Sequence, residues 1–547
     1  MKFLNWLLYE VHRWLGIGLA LFMFVWFFTG VVIMYATPTT QNRSQQLAHA
    51  ESLAPEAGWL SLGEAWDRSA EARKAAAASR KAKAPAMGEG GAKQKGAEIP
   101  LGIADARLVR SLGEPLWLVE DTRGQRYALS AIDGSLHEIS ADQALQIAEN
   151  WFKTNNDGDA VKASYLESVD APIILRNQDA LRPFHHVAVG DGDELLISAR
   201  TGEVLHASSR IDRAFYYAGN WLHLFKPLDS LGFGEIRHDV QLWSGLFATI
   251  ACLTGLIIGW LRWRPGFGGK KTYSEGRTQP YREFWFKWHF WTGLIGGSVA
   301  LCWALSGFIS TNPGKWFSNG DYTKEELSRY LGAELPEAIR NWRPAPLTVM
   351  AGNASNVVEL SWRRLGGEAL LLATTRDGQR LPQTTEQSGA QFSEASILAA
   401  VQRLAGDVEV ESQEVLKEYD SYYYPRHHQG LVEKPLPVVL VQLGDDAGTR
   451  IYLDPEDGRL LTKLDRSRRV YRWLYSALHH WDFGWLHYRP IWDVWMLVWV
   501  AFGLVLGASS LVIGWRRLKK TFTPKKRRTV SSGAVPEPQL ATETAGS

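Results

Sequence analysis

Four long stretches of the chain are almost free of charged residues, and each is long enough for a helix of roughly 20 residues that crosses a bilayer. They are residues 15–36, 240–261, 290 to about 317, and 494–515, with long polar segments at 37–236 and 318–489. The first stretch exceeds the ~7–15-residue apolar core of a signal peptide, so we expect it to be a retained helix. The pattern predicts a membrane protein with four spans and two large domains outside the membrane.

Along the chain, the predicted membrane helices are separated by two large domains and one short loop. They are a first helix (1–36), an outside domain (37–236), a second helix (237–263), a loop (264–283), a third helix (284–312), a second outside domain (313–489), a fourth helix (490–516) and a tail (517–547). Residues 71–98 are rich in Ala, Lys and Gly, which predicts a mobile linker or a partly helical insert. The tail begins with basic residues, and we expect the rest of it to be disordered.

Basic residues predict the orientation, because Lys and Arg concentrate in short loops on the cytoplasmic side of a membrane. The loop 262–287 carries seven Lys and Arg against two Glu, and the tail carries KKRR at 525–528. We therefore expect a multi-pass protein of the bacterial inner membrane, with both termini in the cytoplasm and both large domains in the periplasm. The net charge is only +2, which gives no reason to expect a nucleic-acid partner.

The sequence contains an internal duplication. HRWLGIGLALFMFVWFFTG (12–30) aligns without a gap on HFWTGLIGGSVALCWALSG (289–307). The alignment pairs His12 with His289, and it also pairs two tryptophans and two glycines: Trp14 with Trp291, Trp26 with Trp303, Gly16 with Gly293, and Gly30 with Gly307. Five identities at one constant offset indicate that the third span repeats the first.

The second and fourth spans repeat each other as well. TGLIIGWLRW (254–263) resembles SSLVIGWRRL (509–518), and the segments before these spans superpose His223 on His479. Each half therefore reads as histidine, span, outside domain, histidine, span. The fold class that we predict is a duplicated four-transmembrane-helix bundle with two periplasmic α+β domains.

The outside domains show a repeated local pattern. Helical spacing of apolar residues at 140–152 and 392–406 predicts one helix in each half. Alternating runs around Gly- and Asp-containing turns predict antiparallel hairpins at 116–136, 185–205, 357–381 and 437–461. We therefore expect modules in which one helix packs on a small antiparallel sheet, about two per half.

These motifs resemble those of the PepSY-associated transmembrane proteins, a family described as iron-regulated inner-membrane proteins. The motifs are HRWLG (12–16), YDSYYYPRH (419–427), RIYLDPEDGRL (450–460) and RWLYSALHHWDFGWLHYRPIWD (472–493). The resemblance covers both halves except the 71–98 insert and the chain after residue 520. It implies PepSY-like modules in the periplasm and, as in some members, a haem-dependent reductase that acts on a ferric siderophore or another iron chelate.

Four histidines at repeat-equivalent span ends are the candidate metal ligands. We expect His12 and His289 to meet in the cytoplasmic leaflet, and His223 and His479 to meet on the periplasmic side. A b-type haem takes two axial ligands on opposite faces of a flat ring and needs no covalent attachment. The sequence has no CxxCH motif, so we predict two non-covalent b-type haems. His480 is the main competitor in the second pair, and His238 and His487 are lesser candidates.

The predicted function is one-electron transfer across the membrane to a periplasmic ferric chelate, which would release Fe(II) for uptake. No nucleotide-binding motif is found, so a separate cytoplasmic reductase or quinol would supply the electrons. In the main alternative the histidines are interfacial anchors, and the modules have a binding, inhibitory or signalling role without catalysis. A transporter is less favoured, because the spans show few charges and we expect no broken helices.

Overall fold

The structure is a computed structural model that describes residues 2–83, 102–153, 161–175, 178–332, 335–345, 356–383, 391–426 and 429–522. The chain divides into two compact units. The helical unit contains residues 1–27, 247–301 and 499–547, and the sheet unit contains residues 28–246 and 302–498. The predicted insert at 71–98 is described only to residue 83 and the predicted tail only to residue 522, so the remainder of each lies outside the described residues.

The helices and strands are numbered here in chain order. The α-helices are α1 Lys2–Tyr35, α2 Arg43–Ala48, α3 Leu62–Arg68, α4 Ala70–Lys83, α5 Ala141–Lys153, α6 Arg210–Tyr216, α7 Pro227–Ser230, α8 Arg237–Arg262, α9 Phe284–Ile295, α10 Gly297–Ser310, α11 Lys324–Leu331, α12 Glu337–Asn341, α13 Glu394–Ala405, α14 Arg466–Tyr471, α15 Leu478–His480 and α16 Ile491–Phe522. The strands are β1 Ile103–Ser111, β2 Glu114–Asp121, β3 Arg126–Ser130, β4 Leu136–His137, β5 Ala163–Val169, β6 Phe184–Val189, β7 Asp193–Ser198, β8 Val204–Ser208, β9 Val357–Leu365, β10 Glu368–Thr375, β11 Arg380–Gln383, β12 Val410–Leu416, β13 Val438–Leu443, β14 Arg450–Leu453 and β15 Leu460–Leu464.

Three helices in the described part of the chain are long and apolar enough to cross a membrane. They cover Lys2–Tyr35, Gly234–Arg262 and Ile491–Phe522. The third predicted span is instead a broken one, because α9 and α10 meet at an angle of 68°. If this bent pair crosses the membrane as one span, the total is four.

Two consecutive glycines explain the break between α9 and α10. A Cβ atom on Gly296 would lie 2.9 Å from the Cβ of Phe502, and one on Gly297 would lie 2.9 Å from a methyl carbon of Leu256. Neighbouring helices therefore pack directly against the backbone at this point, and adjacent small residues are a common cause of sharp kinks. The apolar pattern predicted an unbroken helix here, and this prediction is wrong. The expected absence of broken helices therefore does not speak against a transporter.

The largest sheet of the sheet unit combines strands from both halves of the duplication. It has seven strands in the order β11-β10-β9-β1-β2-β3-β4. The halves meet where β1 pairs antiparallel with β9, with Leu108 opposite Leu360. The sequence pattern predicted these strands in two separate domains, because local patterns do not reveal long-range strand pairing.

The two other sheets have four antiparallel strands each, and the predicted helices cover them. In the first, ordered β5-β6-β7-β8, α5 packs its buried residues Ala144, Ala148 and Trp151 on the sheet. In the second, ordered β12-β13-β14-β15, α13 packs its buried residues Ile397, Ala400, Val401 and Leu404. The predicted helices at 140–152 and 392–406 and the predicted hairpins are therefore confirmed.

A buried ion cluster links the two halves inside the sheet unit. The Glu359 carboxylate on β9 is only 4% exposed and accepts hydrogen bonds from Arg43 at 2.5 Å and from Arg107 at 3.2 Å. Arg107 on β1 also pairs with Glu203. Burial by itself would raise the pKa of Glu359, but the two arginines outweigh it and lower the pKa to about 2.

Replacing Glu359 by glutamine is expected to destabilise the sheet unit by about 3–5 kcal/mol, because it leaves two arginines without their shared carboxylate. A thermal unfolding curve of the detergent-purified chain measures this as a lower midpoint. Because the pKa of Glu359 is lowered, its stabilisation is complete above the ordinary pKa of glutamate and is lost as the pH falls towards 2. The exposed Glu56, replaced by glutamine, is the control; an equal effect of both variants would contradict the account.

Candidate functional site

His12 on α1 and His289 on α9 form the first histidine pair, and both belong to the helical unit. Their ring centres are 6.3 Å apart, and the ring planes are inclined by 51°. Both side chains are partly buried. The structure therefore brings together the two residues that the duplication aligns.

The position and tautomer of His12 are determined by α8. Its Nδ1 atom lies 3.0 Å from the carbonyl oxygen of Ala251 and 3.4 Å from the hydroxyl of Thr254. A carbonyl oxygen can only accept, so Nδ1 carries the proton and the lone pair of the ring is on Nε2. A Cβ atom on Gly255 would lie 2.7 Å from the ring, so a glycine is required where the imidazole packs.

His289 is held in the same way by α16. Its Nδ1 atom lies 3.3 Å from each of the hydroxyl oxygens of Ser509 and Ser510. Both hydroxyls donate their protons to the carbonyl oxygen of Leu506, at 2.8 and 2.7 Å, so they accept from the imidazole. The lone pair of His289 is therefore also on Nε2.

His223 and His479 form the second pair, in the sheet unit, with ring centres 6.3 Å apart and ring planes inclined by 77°. Each follows a short π-helical turn, Tyr217–Trp221 or Arg472–Ala477. Such turns add one residue to the helical repeat and so change the direction of the side chains that follow. Both histidines lie outside the helices that are long enough to span a membrane. Burial lowers the pKa of His223 to about 3 and that of His479 to about 4. Both rings are therefore neutral, as a metal ligand requires.

Hydroxyl groups also contact the Nδ1 atoms of the second pair. Thr29 Oγ1 lies 2.8 Å from Nδ1 of His223, and Ser306 Oγ lies 3.0 Å from Nδ1 of His479. The Ser306 hydroxyl donates to the carbonyl oxygen of Cys302 at 2.6 Å, so it accepts from His479. His479 is thus another imidazole with its lone pair on Nε2.

The hydroxyl residues that contact the histidines are related by the same duplication as the histidines themselves. Thr29 and Ser306 are separated by 277 residues, as are His12 and His289, and Thr254 and Ser509 occupy the first position of the two aligned motifs at 254–263 and 509–518. None of these four hydroxyl residues was among the predicted site residues. The signal was present, because each repeat aligns a hydroxyl with a hydroxyl inside an apolar span.

The spacing within each pair suits two imidazoles that share one metal ion. A metal bonded to two imidazole nitrogens at ~2 Å each holds the ring centres roughly 6 Å apart when the bonds are collinear. In the described part of the chain no group of three or more His, Cys, Asp or Glu side chains could hold a metal ion. Two imidazoles are too few for a structural zinc site, but they are the complete axial set of a b-type haem, whose four other ligands belong to the porphyrin. The residues therefore fit haem.

Comparison with known protein families gives one match. The family described as the PepSY-associated TM region matches residues 9–404, which is well over half of the chain. The chain belongs to this family. No curated protein sequence matches the chain.

The match of this PepSY-associated TM protein includes His12, His223 and His289 and ends before His479. It confirms the family that the HRWLG motif indicated. The other three motifs, which lie between residues 419 and 493, are outside the matched range. The reductase activity of some members stays a prediction for this member of the family.

The repeated glycines of this PepSY-associated TM protein differ in the space around them. A Cβ atom on Gly16 or Gly30 would meet no other atom within 4 Å, and one on Gly307 would be 4.0 Å from the ring of His479. Gly16 lies one helical turn after His12 and so shares its face of α1. A Cβ atom on the fourth repeated glycine, Gly293, would instead lie 3.6 Å from a methyl carbon of Leu506.

The competing histidines of this family member have other surroundings. The rings of His479 and His480 both lie against Tyr475, with 5.4 and 5.5 Å between ring centres, and the ring of His479 also lies 6.3 Å from that of His223. His238 is 61% exposed, and its Nε2 atom lies 3.0 Å from a backbone carbonyl oxygen. His487 packs edge-on against Tyr424. These contacts favour His479 over the three competitors.

Proposed function

We propose that this protein holds one b-type haem between His12 and His289 and a second between His223 and His479, and that it passes electrons across the bacterial inner membrane to a periplasmic ferric chelate. One observation carries the proposal: two repeat-related histidine pairs have the same 6.3 Å separation of ring centres. With the bent α9–α10 pair counted as one span, the structure has up to four candidate spans. The proposal takes them as a duplicated four-helix bundle with both termini in the cytoplasm.

Bound haem would supply a one-electron Fe(III)/Fe(II) couple, and the protein would provide ligation, orientation and exclusion of water. The Nε2 atoms of the histidines are the ligand atoms. The hydrogen bonds at Nδ1 fix the tautomer and orientation of His12, His289 and His479 and increase the donor strength of these rings. The apolar spans exclude water around the first pair.

The substrate that we propose is a ferric siderophore or another iron chelate, bound on the periplasmic side. The second pair is in the same unit as the three sheets, which supports a role for the sheet unit in binding that substrate. One-electron reduction to Fe(II) weakens the hold of hard oxygen ligands, and the released iron becomes available for uptake. The electrons come from a separate donor, a cytoplasmic reductase or a quinol.

Replacing Ser306 by alanine is expected to weaken haem binding at the second pair by about tenfold or more, because His479 loses the acceptor of its Nδ1–H group. Haem titration of the apoprotein measures this in a His12→Ala background, so that only the second pair binds. Ser310→Ala is the matched control, since Ser310 is an exposed serine of the same helix. Equal affinities of the two variants would show that Ser306 has no such role.

The function is tested with the purified chain in proteoliposomes, with dithionite trapped inside, and ferric nitrilotriacetate and an Fe(II)-specific dye outside. We expect Fe(II) to form outside the vesicles with the unmodified chain, but not with His12→Ala or His479→Ala. Haem-containing protein that gives no more Fe(II) than protein-free vesicles would overturn the reductase proposal. Protein without haem would instead support the non-enzymatic alternative.

A further inference from the structure

A second polar cluster lies in the helical unit, at the C-terminal end of α8. The guanidinium group of Arg262 donates through Nε to the Tyr9 hydroxyl at 3.2 Å and through Nη1 to the Tyr281 hydroxyl at 2.5 Å. It also lies over both aromatic rings, 4.7 Å from the centre of Tyr9 and 5.6 Å from that of Tyr281. Arg262 is therefore held in place by two aromatic residues from two other segments.

The cluster has positive charge without a carboxylate. No ion pair of Arg262 occurs within the described ranges. Three glutamates close to Tyr9 or Tyr281 in the sequence are each paired with another arginine. These pairs are Glu10 with Arg13, Glu275 with Arg282, and Glu283 with Arg516. A tyrosine oxygen that accepts from a guanidinium keeps its own proton to donate. Arg262, Tyr9 and Tyr281 thus form an oxyanion site: one positive charge with two hydroxyl donors beside it.

The cluster lies close to the first histidine pair along the chain. Tyr9 is three residues before His12 on the same face of α1. Arg262 follows Thr254, which contacts His12, by eight residues on α8, or about 12 Å of helix. The ring of Tyr281 is 5.9 Å from that of Phe290, the neighbour of His289. Tyr9 and Arg262 are therefore each within about two helical turns of a residue that forms or positions the first pair.

The geometry points to Arg262, Tyr9 and Tyr281 as the site that binds a propionate carboxylate of the haem held by His12 and His289. This inference rests on the proposed function. A guanidinium and two hydroxyls match a carboxylate in charge and in hydrogen bonding. The phosphate of a membrane lipid has the same chemistry, so the experiment has to distinguish the two sources.

The test compares haem with haem dimethyl ester, in which both propionates are uncharged methyl esters. Apoprotein with the His479→Ala change is titrated with each compound, so that only the first pair binds. We expect haem to bind about tenfold to a hundredfold more tightly than the ester. Arg262→Gln is expected to remove this difference by weakening haem binding alone. Unchanged binding of the ester shows that the Arg262→Gln variant is folded. The control is Arg264→Gln, which removes an exposed charge two residues away and is expected to keep the difference in affinity between haem and ester.

Three results would overturn the inference. A propionate contact would be excluded if the chain with Arg262 intact bound haem and the ester equally well. It would also be excluded if Arg262→Gln weakened the binding of both compounds equally. Either result would leave the haem proposal intact. Loss of co-purified phospholipid in Arg262→Gln, measured by mass spectrometry with the haem preference retained, would assign the site to a lipid phosphate. Binding of neither compound, in either the His479→Ala or the unmodified chain, would overturn the proposed function together with this inference.

Discussion

Replacing His289 by alanine is expected to remove about half of the haem from the purified chain and to leave the remaining haem spectroscopically unchanged. In the proposed first site His289 would be one of two axial ligands, so its loss would leave His12 as the remaining imidazole. The second pair has its own hydroxyl partners, Thr29 and Ser306, and does not depend on His289. His12→Ala is expected to give the same loss, and His12→Ala combined with His479→Ala is expected to remove all haem.

The measurement is the haem-to-protein ratio, together with the absorption spectrum of the oxidised and reduced protein. His238→Ala and His480→Ala are the controls, because they remove the competing histidines. Both controls are expected to retain full haem. Full haem in both His12→Ala and His289→Ala would show that the first pair is not a ligand pair, and loss of haem in His480→Ala alone would assign the second site to His480.

Deleting Leu474 from the π-helical turn Arg472–Ala477 is expected to abolish haem binding at the second pair and to keep it at the first. The turn holds one residue more than an α-helical turn, so shortening it restores the α-helical repeat. Each residue in an α-helix rotates the next side chain by about 100°, so His479 would turn away from His223. The predicted haem content is again about half.

Leu474→Ala is the matched control for this deletion, since it changes the same exposed side chain but keeps the length of the turn. We expect the substitution to leave the haem content unchanged. The thermal unfolding midpoint of both variants reports whether the sheet unit remains folded. Full haem content in a folded deletion variant would show that the π-helical turn does not orient His479.

Much of the candidate site could be predicted because the chain contains an internal duplication, so its two halves can be compared with each other. The constant offset between the repeats singled out His12, His289, His223 and His479 among fourteen histidines, and the structure places them in the predicted pairs. Helical and alternating periodicity similarly predicted the helices and hairpins of the sheet unit. Whether the pairs bind haem stays a prediction.

Other features depend on contacts that a local pattern does not contain. The break between α9 and α10 results from Phe502 and Leu256, which approach the glycines from distant parts of the chain. The pairing of β1 with β9 joins strands about 250 residues apart. The role proposed for Arg262 depends on the hydroxyl groups of Tyr9 and Tyr281 beside it, whereas in the sequence Arg262 is one of seven basic residues in a loop.

The central claim is that each histidine pair provides both axial ligands of one non-covalent haem. The most direct measurement is the haem content and absorption spectrum of the full chain, purified in detergent from cells that have haem available. The account predicts about two extractable haems per chain and a low-spin, six-coordinate spectrum in both oxidation states. A purified, folded chain without a Soret band would contradict it, as would a high-spin spectrum.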